Sequence, residues 1–114
     1  MKVHSDIGHW SRFYILDKKN HPVQVSDHDA WSRWMAENDL VFRRTLLEEV
    51  GGTVTTRFRG VSEAAPVDTP LFVTRVTGMG DEGSESYGSP TLHEALELHE
   101  EIVQKLLRQL TGRE

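Results

Sequence analysis

The feature that most restricts the fold is a long amphipathic pattern that begins after residue 90. Apolar residues recur there at three- and four-residue spacing for about five turns, and charged residues lie away from that stripe. The stripe comprises Leu92, Ala95, Leu96, His99, Ile102, Val103, Leu106, Leu107 and Leu110. Ser89 or Thr91 can cap the helix, Pro90 fits its first turn, and Gly112 ends it. The pattern therefore predicts a long helix with one apolar face.

The middle of the chain predicts a β-hairpin. Arg43 to Val50 and Thr53 to Val61 flank Gly51-Gly52, and a two-residue glycine turn supplies the positive φ angles that a tight hairpin needs. Alternation in the second strand separates Val54, Thr56 and Phe58 from Thr55, Arg57 and Arg59. We therefore expect one buried face and one solvated face.

Shorter signals complete the predicted fold. The runs Phe13 to Leu16 and Pro22 to Val25 indicate an N-terminal strand or loose hairpin. Ser26 to Asp29 offers capping oxygens for a short helix that ends near Asn38. A proline-containing loop over residues 62–70 precedes a further strand, Leu71 to Thr77, and Ser86-Tyr87-Gly88 can add a short edge pairing.

These elements predict the α+β class. The expected architecture is an antiparallel sheet of four to five strands with two helices packed on one face, in the order β-α-β-β-β-α. The other face of the sheet is expected to remain open to solvent.

Length and composition narrow the class of protein. A chain of 114 residues predicts one domain, over residues 10–112, preceded by a flexible segment over residues 1–9. It has no cysteine, which excludes disulfides, thiolate metal ligands and cysteine nucleophiles. No apolar run approaches the roughly 20 residues that span a bilayer, and no signal peptide is evident. We therefore expect a soluble cytoplasmic protein, a monomer or homodimer, without a membrane partner.

The histidines do not form a convincing metal or catalytic pattern. Of the six, His93 and His99 share a helix but are six residues apart, whereas ligand pairs on one helix are three or four apart. We assign no catalytic residue, no metal ligand and no cofactor. His99 differs because it lies on the apolar stripe, where an unpartnered polar ring costs about 1–3 kcal/mol. It is interpreted either as a core histidine bonded to a backbone carbonyl or as a site residue.

The predicted binding residues are Thr55, Arg57, Arg59, Arg75 and His99. If Thr53 to Val61 pairs with Leu71 to Thr77, the arginines share the open face, and such faces can bind phosphate, nucleic acid or an acidic protein surface. The alternative is a solvated face on which arginine pairs with Glu48 or Glu49. A net charge of −5 argues against extensive nucleic-acid wrapping but allows a local basic patch.

Short motifs also follow one another in a fixed order. They are Tyr14-Ile15-Leu16, His21-Pro22-Val23, Trp31 with Trp34, Thr53 to Gly60, Pro70-Leu71-Phe72, Tyr87, and Glu94-Ala95-Leu96 with His99. Together they resemble small uncharacterised proteins encoded by bacteriophages and prophages, over about residues 13–103. The resemblance implies a compact α+β protein of the bacterial host cytoplasm with no established activity. The family pattern has an acidic residue where this chain has Val73, so a role for that acid does not extend to this chain.

Three functional hypotheses follow from the sequence. The leading one is a phage or prophage accessory protein that acts by binding a host or phage protein. The second is a nucleic-acid or nucleotide binder that uses the arginine-rich open face. The third, which the absence of catalytic motifs disfavours, is a small hydrolase or metal-dependent enzyme around His99 or His28.

Overall fold

A computed structural model describes residues 11–63, 70–78 and 84–112. The predicted flexible segment 1–9 and much of the predicted connections lie outside these ranges. The elements are β1 (Ser11–Leu16), β2 (Pro22–Val25), α1 (His28–Glu37), β3 (Val41–Leu47), β4 (Gly52–Phe58), β5 (Val61–Glu63), β6 (Phe72–Thr77), β7 (Glu85–Ser89) and α2 (Leu92–Gly112). The predicted α+β class, with antiparallel strands and two helices, is confirmed.

The strands divide between two antiparallel sheets, which the sequence did not predict. The smaller sheet has the order β2-β1-β5, and the larger has the order β3-β4-β6-β7. Helix α1 packs mainly on β1, whereas α2 packs on β4, β6 and β7. The predicted strand Thr53 to Val61 is in fact two strands, because β4 ends at Phe58 and Val61 pairs with Phe13 in the smaller sheet.

The β3–β4 hairpin is present, but its turn differs from the prediction. The strands pair from Leu47 opposite Gly52, and a single 3₁₀ turn over Glu48–Val50 connects them. Of the two turn glycines, Gly51 takes the left-handed conformation, with φ 68°, and Gly52 does not. A four-residue connection therefore replaces the expected two-residue Gly-Gly turn, since Gly52 already belongs to the ladder.

Each helix is preceded by a capping residue whose side chain accepts hydrogen bonds from N–H groups of the first turn. Asp27 Oδ1 accepts hydrogen bonds from the Asp29 and Ala30 N–H groups at 3.0 and 3.2 Å. Helix α1 ends at the C-cap Asn38. At the start of α2, Thr91 Oγ1 accepts from the Glu94 N–H at 3.1 Å, so Thr91 is the capping residue of the two predicted candidates.

The core lies between α2 and one face of the larger sheet. At one end Leu47, Val54, Val76 and Val103 form a cluster. At the other end, Phe58, Phe72 and Ala95 are fully buried, and Trp34 and Met35 of α1 pack against them. The rings of Trp34 and Phe58 meet edge to face at 5.9 Å. Side chains of both helices therefore contact the same face of the larger sheet.

Gly60 connects the two sheets. With φ 80° it turns the chain from β4 into β5. Its carbonyl oxygen accepts two hydrogen bonds, from the Tyr14 N–H at 2.8 Å and from Trp31 Nε1 at 3.0 Å. A Cβ at this position would lie 2.6 Å from Met35 Cε. The left-handed φ favours glycine here, and a larger residue would also push aside the flexible end of the Met35 side chain.

We expect Gly60→Ala to lower the free energy of unfolding by about 1–3 kcal/mol, because the left-handed φ strains an alanine and the end of the Met35 side chain must move aside. Gly51→Ala is the matched control. It has a similar φ, but its Cβ would find only ordinary contact, 3.7 Å from the Gly78 carbonyl oxygen. It should cost about 1 kcal/mol. Urea unfolding measures the free energy of unfolding of both variants. Equal losses would show that contact with Met35 adds nothing to the cost of the left-handed φ at Gly60.

Candidate functional site

A polar network crosses the core between the two apolar clusters. His99 is fully buried, and its Nε2 lies 2.8 Å from Thr45 Oγ1 while its Nδ1 lies 2.8 Å from Thr56 Oγ1. Thr56 Oγ1 lies 2.8 Å from Thr74 Oγ1. We call these four residues the threonine–histidine network. His99 is thus a core histidine, and its partners are hydroxyls of the sheet instead of the expected backbone carbonyl.

The network is fully satisfied with a neutral ring. A neutral imidazole donates from one nitrogen and accepts at the other, so one threonine hydroxyl accepts and the other donates. Burial lowers the pKa of His99 below its ordinary value of 6.5, the Arg43 guanidinium lowers it further, and Glu100 opposes the change. Because the ring is inaccessible and both nitrogens are bonded, this site holds α2 on the sheet and offers no group to a substrate.

The opposite face of the larger sheet is open and basic. Cross-strand pairing aligns Arg44, Thr55, Arg75 and Ser86 in one row across the four strands. The next row contains Arg57, Val73 and Gly88. The arginines are exposed, whereas Thr55 and Val73 are half-buried. We call this surface, on which the predicted arginines lie together, the open face.

Three arginines line one groove on the open face. The groove has a volume of about 420 Å³, and Arg57, Arg59 and Arg75 contribute its cationic groups. Val73, Pro70 and Gly88 form apolar parts of its lining, and Ser86 and Tyr87 complete it. Gly88 is required there, since a Cβ would lie 2.6 Å from Pro70 Cγ. We call this feature the arginine groove.

Most of this positive charge is not neutralised within the described part of the chain. Arg44, Arg57 and Arg59 form no ion pair or side-chain hydrogen bond with another described residue. Arg75 Nη2 donates a hydrogen bond to Ser84 Oγ at 3.2 Å. Because the serine hydroxyl is neutral, this bond does not neutralise the charge of Arg75. Glu48 and Glu49 lie in the 3₁₀ turn of the hairpin, and neither forms an ion pair with a described arginine.

The predicted binding residues therefore separate into two groups. Arg57, Arg59 and Arg75 line the arginine groove, and Thr55 lies beside it, directly opposite Arg75. His99 lies on the covered face and takes no part in the groove. Arg44 also belongs to this face, because it pairs with Thr55 in the hairpin, but it was not among the predicted binding residues.

A second cleft, of about 440 Å³, lies between the β1–β2 turn and the start of α2 and has no arginine among its described lining residues. His21 and His93 border it, each beside an exposed carboxylate. No three histidine, aspartate or glutamate side chains among the described residues come together as metal ligands. Neither helix is long and apolar enough, over the part described, to cross a membrane.

Comparisons with protein-family models, curated proteins and solved structures found no match to this chain. The geometry of the two faces of the larger sheet therefore provides the guide to function.

Thr56→Val should lower the free energy of unfolding by about 1–3 kcal/mol, because it removes the hydroxyl that links His99 to Thr74 in the core. Thr55→Val is the matched control on the opposite face of the same strand, and its effect should stay within about 0.5 kcal/mol. Urea unfolding of the two variants checks this. Equal effects would contradict an energetic role for the network.

The lowered pKa of His99 predicts acid sensitivity. As the pH falls through 6.5, the unfolded chain protonates this histidine before the folded chain does, so stability should fall from about pH 7 downward, by at most about 1.4 kcal/mol per pH unit, until the folded chain is protonated as well. At higher pH the ring is neutral in both states and contributes no slope. The His99→Gln variant should lack this component in urea titrations at each pH. Parallel pH profiles for the two proteins would refute the assignment.

Proposed function

We propose that this chain is a binding protein of phage or prophage origin that uses the arginine groove to bind an acidic surface of a host or phage protein. The single observation that supports this most strongly is that Arg57, Arg59 and Arg75 line one groove and form no ion pair with an acid among residues 11–63, 70–78 and 84–112. Guanidinium groups form paired hydrogen bonds with carboxylates, and this geometry favours acidic side chains as ligands.

The mixed character of the groove favours a protein over a polyanion such as nucleic acid. Val73 and Pro70 present apolar surface beside the arginines. Arginine is common where protein interfaces derive most of their binding energy. The net charge of −5 also disfavours wrapping by nucleic acid.

Binding is favoured over catalysis because the most chemically distinctive group is unavailable. His99 is fully buried with both nitrogens bonded to threonine hydroxyls, so it cannot act on a substrate without local unfolding. The resemblance to phage and prophage proteins motivates the proposed origin, and with it a location in the bacterial host cytoplasm.

Charge reversal tests the proposal. We expect Arg57→Glu and Arg75→Glu each to weaken binding at least tenfold to the protein partner recovered from host or phage lysate, measured with the purified partner by calorimetry. Arg33→Glu is the matched control, since Arg33 is exposed on α1, away from the groove. The three variants should unfold at similar urea concentrations. A partner bound equally well by all three would exclude the groove as its binding surface.

Nucleic acid is the second candidate, because Thr55 and Ser86 add hydroxyl donors beside the arginines. Three arginine contacts to a single strand predict a slope of about −2 when the logarithm of affinity is plotted against the logarithm of salt concentration. Fluorescence anisotropy with mixed-sequence single-stranded DNA and RNA measures that slope. If this candidate is correct, Arg57→Glu abolishes the binding; no binding at physiological salt removes the candidate.

A further inference from the structure

The three arginines of the groove lie at successive levels along the strands. Arg75 pairs with Thr55, so it lies level with a residue two positions before Arg57. Arg59 follows Arg57 by two more positions. Its N–H donates to the Leu71 carbonyl oxygen at 2.6 Å, so the β4–β6 ladder continues to this residue. The order along the strand axis is therefore Arg75, Arg57, Arg59.

The spacing of these levels is that of alternate residues in an extended chain. Two residues of β-strand span about 7 Å, so the backbone positions of the three arginines cover about 14 Å along the axis. Side chains at i, i+2 and i+4 of an extended peptide repeat at the same interval on one face. A helix presents same-face side chains three and four residues apart, at a different interval.

We propose that the arginine groove recognises an extended acidic segment of a partner protein in which three carboxylates occur at every second residue. The segment lies along the strands of the open face, and its middle acid contacts Arg57. Its two outer acids contact Arg75 and Arg59, and the direction of the peptide chain determines which outer acid contacts which arginine. This inference rests on the proposed function and specifies the chemistry of the partner. Charge complementarity supports an acidic peptide, because no described acid neutralises Arg57 or Arg59.

The groove also limits how the segment lies. Val73 lies directly opposite Gly88, which has no side chain, and the Pro70 ring packs over Gly88. The surface between the arginines is therefore low and apolar, which allows a peptide backbone to approach while its carboxylates reach the guanidinium groups. A second copy of this chain fits less well, because it would bring the same arginines toward one another.

Peptide display tests the spacing. Random twelve-residue peptides are selected for binding to the full chain and counter-selected against the Arg57→Glu variant. Enriched peptides should carry aspartate or glutamate at i, i+2 and i+4. Moving the middle acid by one position in a synthetic copy should weaken binding at least fivefold in fluorescence anisotropy.

Charge exchange tests the order. Lysine in place of the middle acid should restore binding to the Arg57→Glu variant to within about threefold of the original pair, and should not restore binding to Arg75→Glu. Lysine in place of one of the two outer acids should instead restore binding to the Arg75→Glu variant. The Arg33→Glu variant should bind the unaltered peptide within twofold of the native chain.

The outcomes separate the two proposals. Peptides with contiguous or helically spaced acids that still depend on Arg57 and Arg75 would overturn the extended arrangement and leave the proposed function standing. Peptides that bind all arginine variants equally would overturn both. Absence of any acidic consensus, together with arginine-dependent binding of single-stranded nucleic acid, would overturn the peptide ligand in favour of nucleic acid.

Discussion

The placement of the His99 ring between the threonines of β3 and β4 is the constraint on which the rest of the structure depends. The ring is fully buried and both nitrogens are bonded, so α2 cannot slide or rotate on the sheet without leaving polar groups unpaired in the core. Because side chains alternate along a strand, fixing Thr56 toward the helix fixes Thr55 and Arg57 toward solvent. The hydrogen bonds of the core therefore determine which side chains form the open face.

The connection between the sheets positions the far end of the arginine groove. Arg59 stands between Phe58, which is anchored in the core, and Gly60, whose carbonyl oxygen is held by Tyr14 and Trp31. Helix α1 thus affects the groove without contacting it, because the Trp31 indole restrains the residue next to Arg59. The smaller sheet and its helix act as a support for one end of the basic surface.

The features that could be predicted from the sequence are those that follow from the spacing of apolar residues. Alternation in β4 identified its buried and exposed faces, and the apolar stripe of α2 identified His99 as a polar group that needs partners. The partners themselves could not be predicted, since threonine is common in strands for its β-propensity and nothing local marks Thr45 or Thr74 as ligands of a ring. The division into two sheets depends on the left-handed φ of Gly60, and a glycine in sequence does not reveal which conformation tertiary contacts select.

The distribution of charge gives an acidic chain one basic face. The glutamates of α2, including Glu94, Glu97 and Glu101, are exposed on the helix, which covers the opposite side of the sheet from the arginines. Screening reduces the influence of charges beyond about 8 Å at physiological ionic strength, so a ligand at the groove is affected mainly by the nearby arginines. The same separation would orient the proposed acidic partner, because the helical side would repel it and the open face would attract it. For such a partner, the sheet that keeps the two signs apart would matter more than the net charge of the chain.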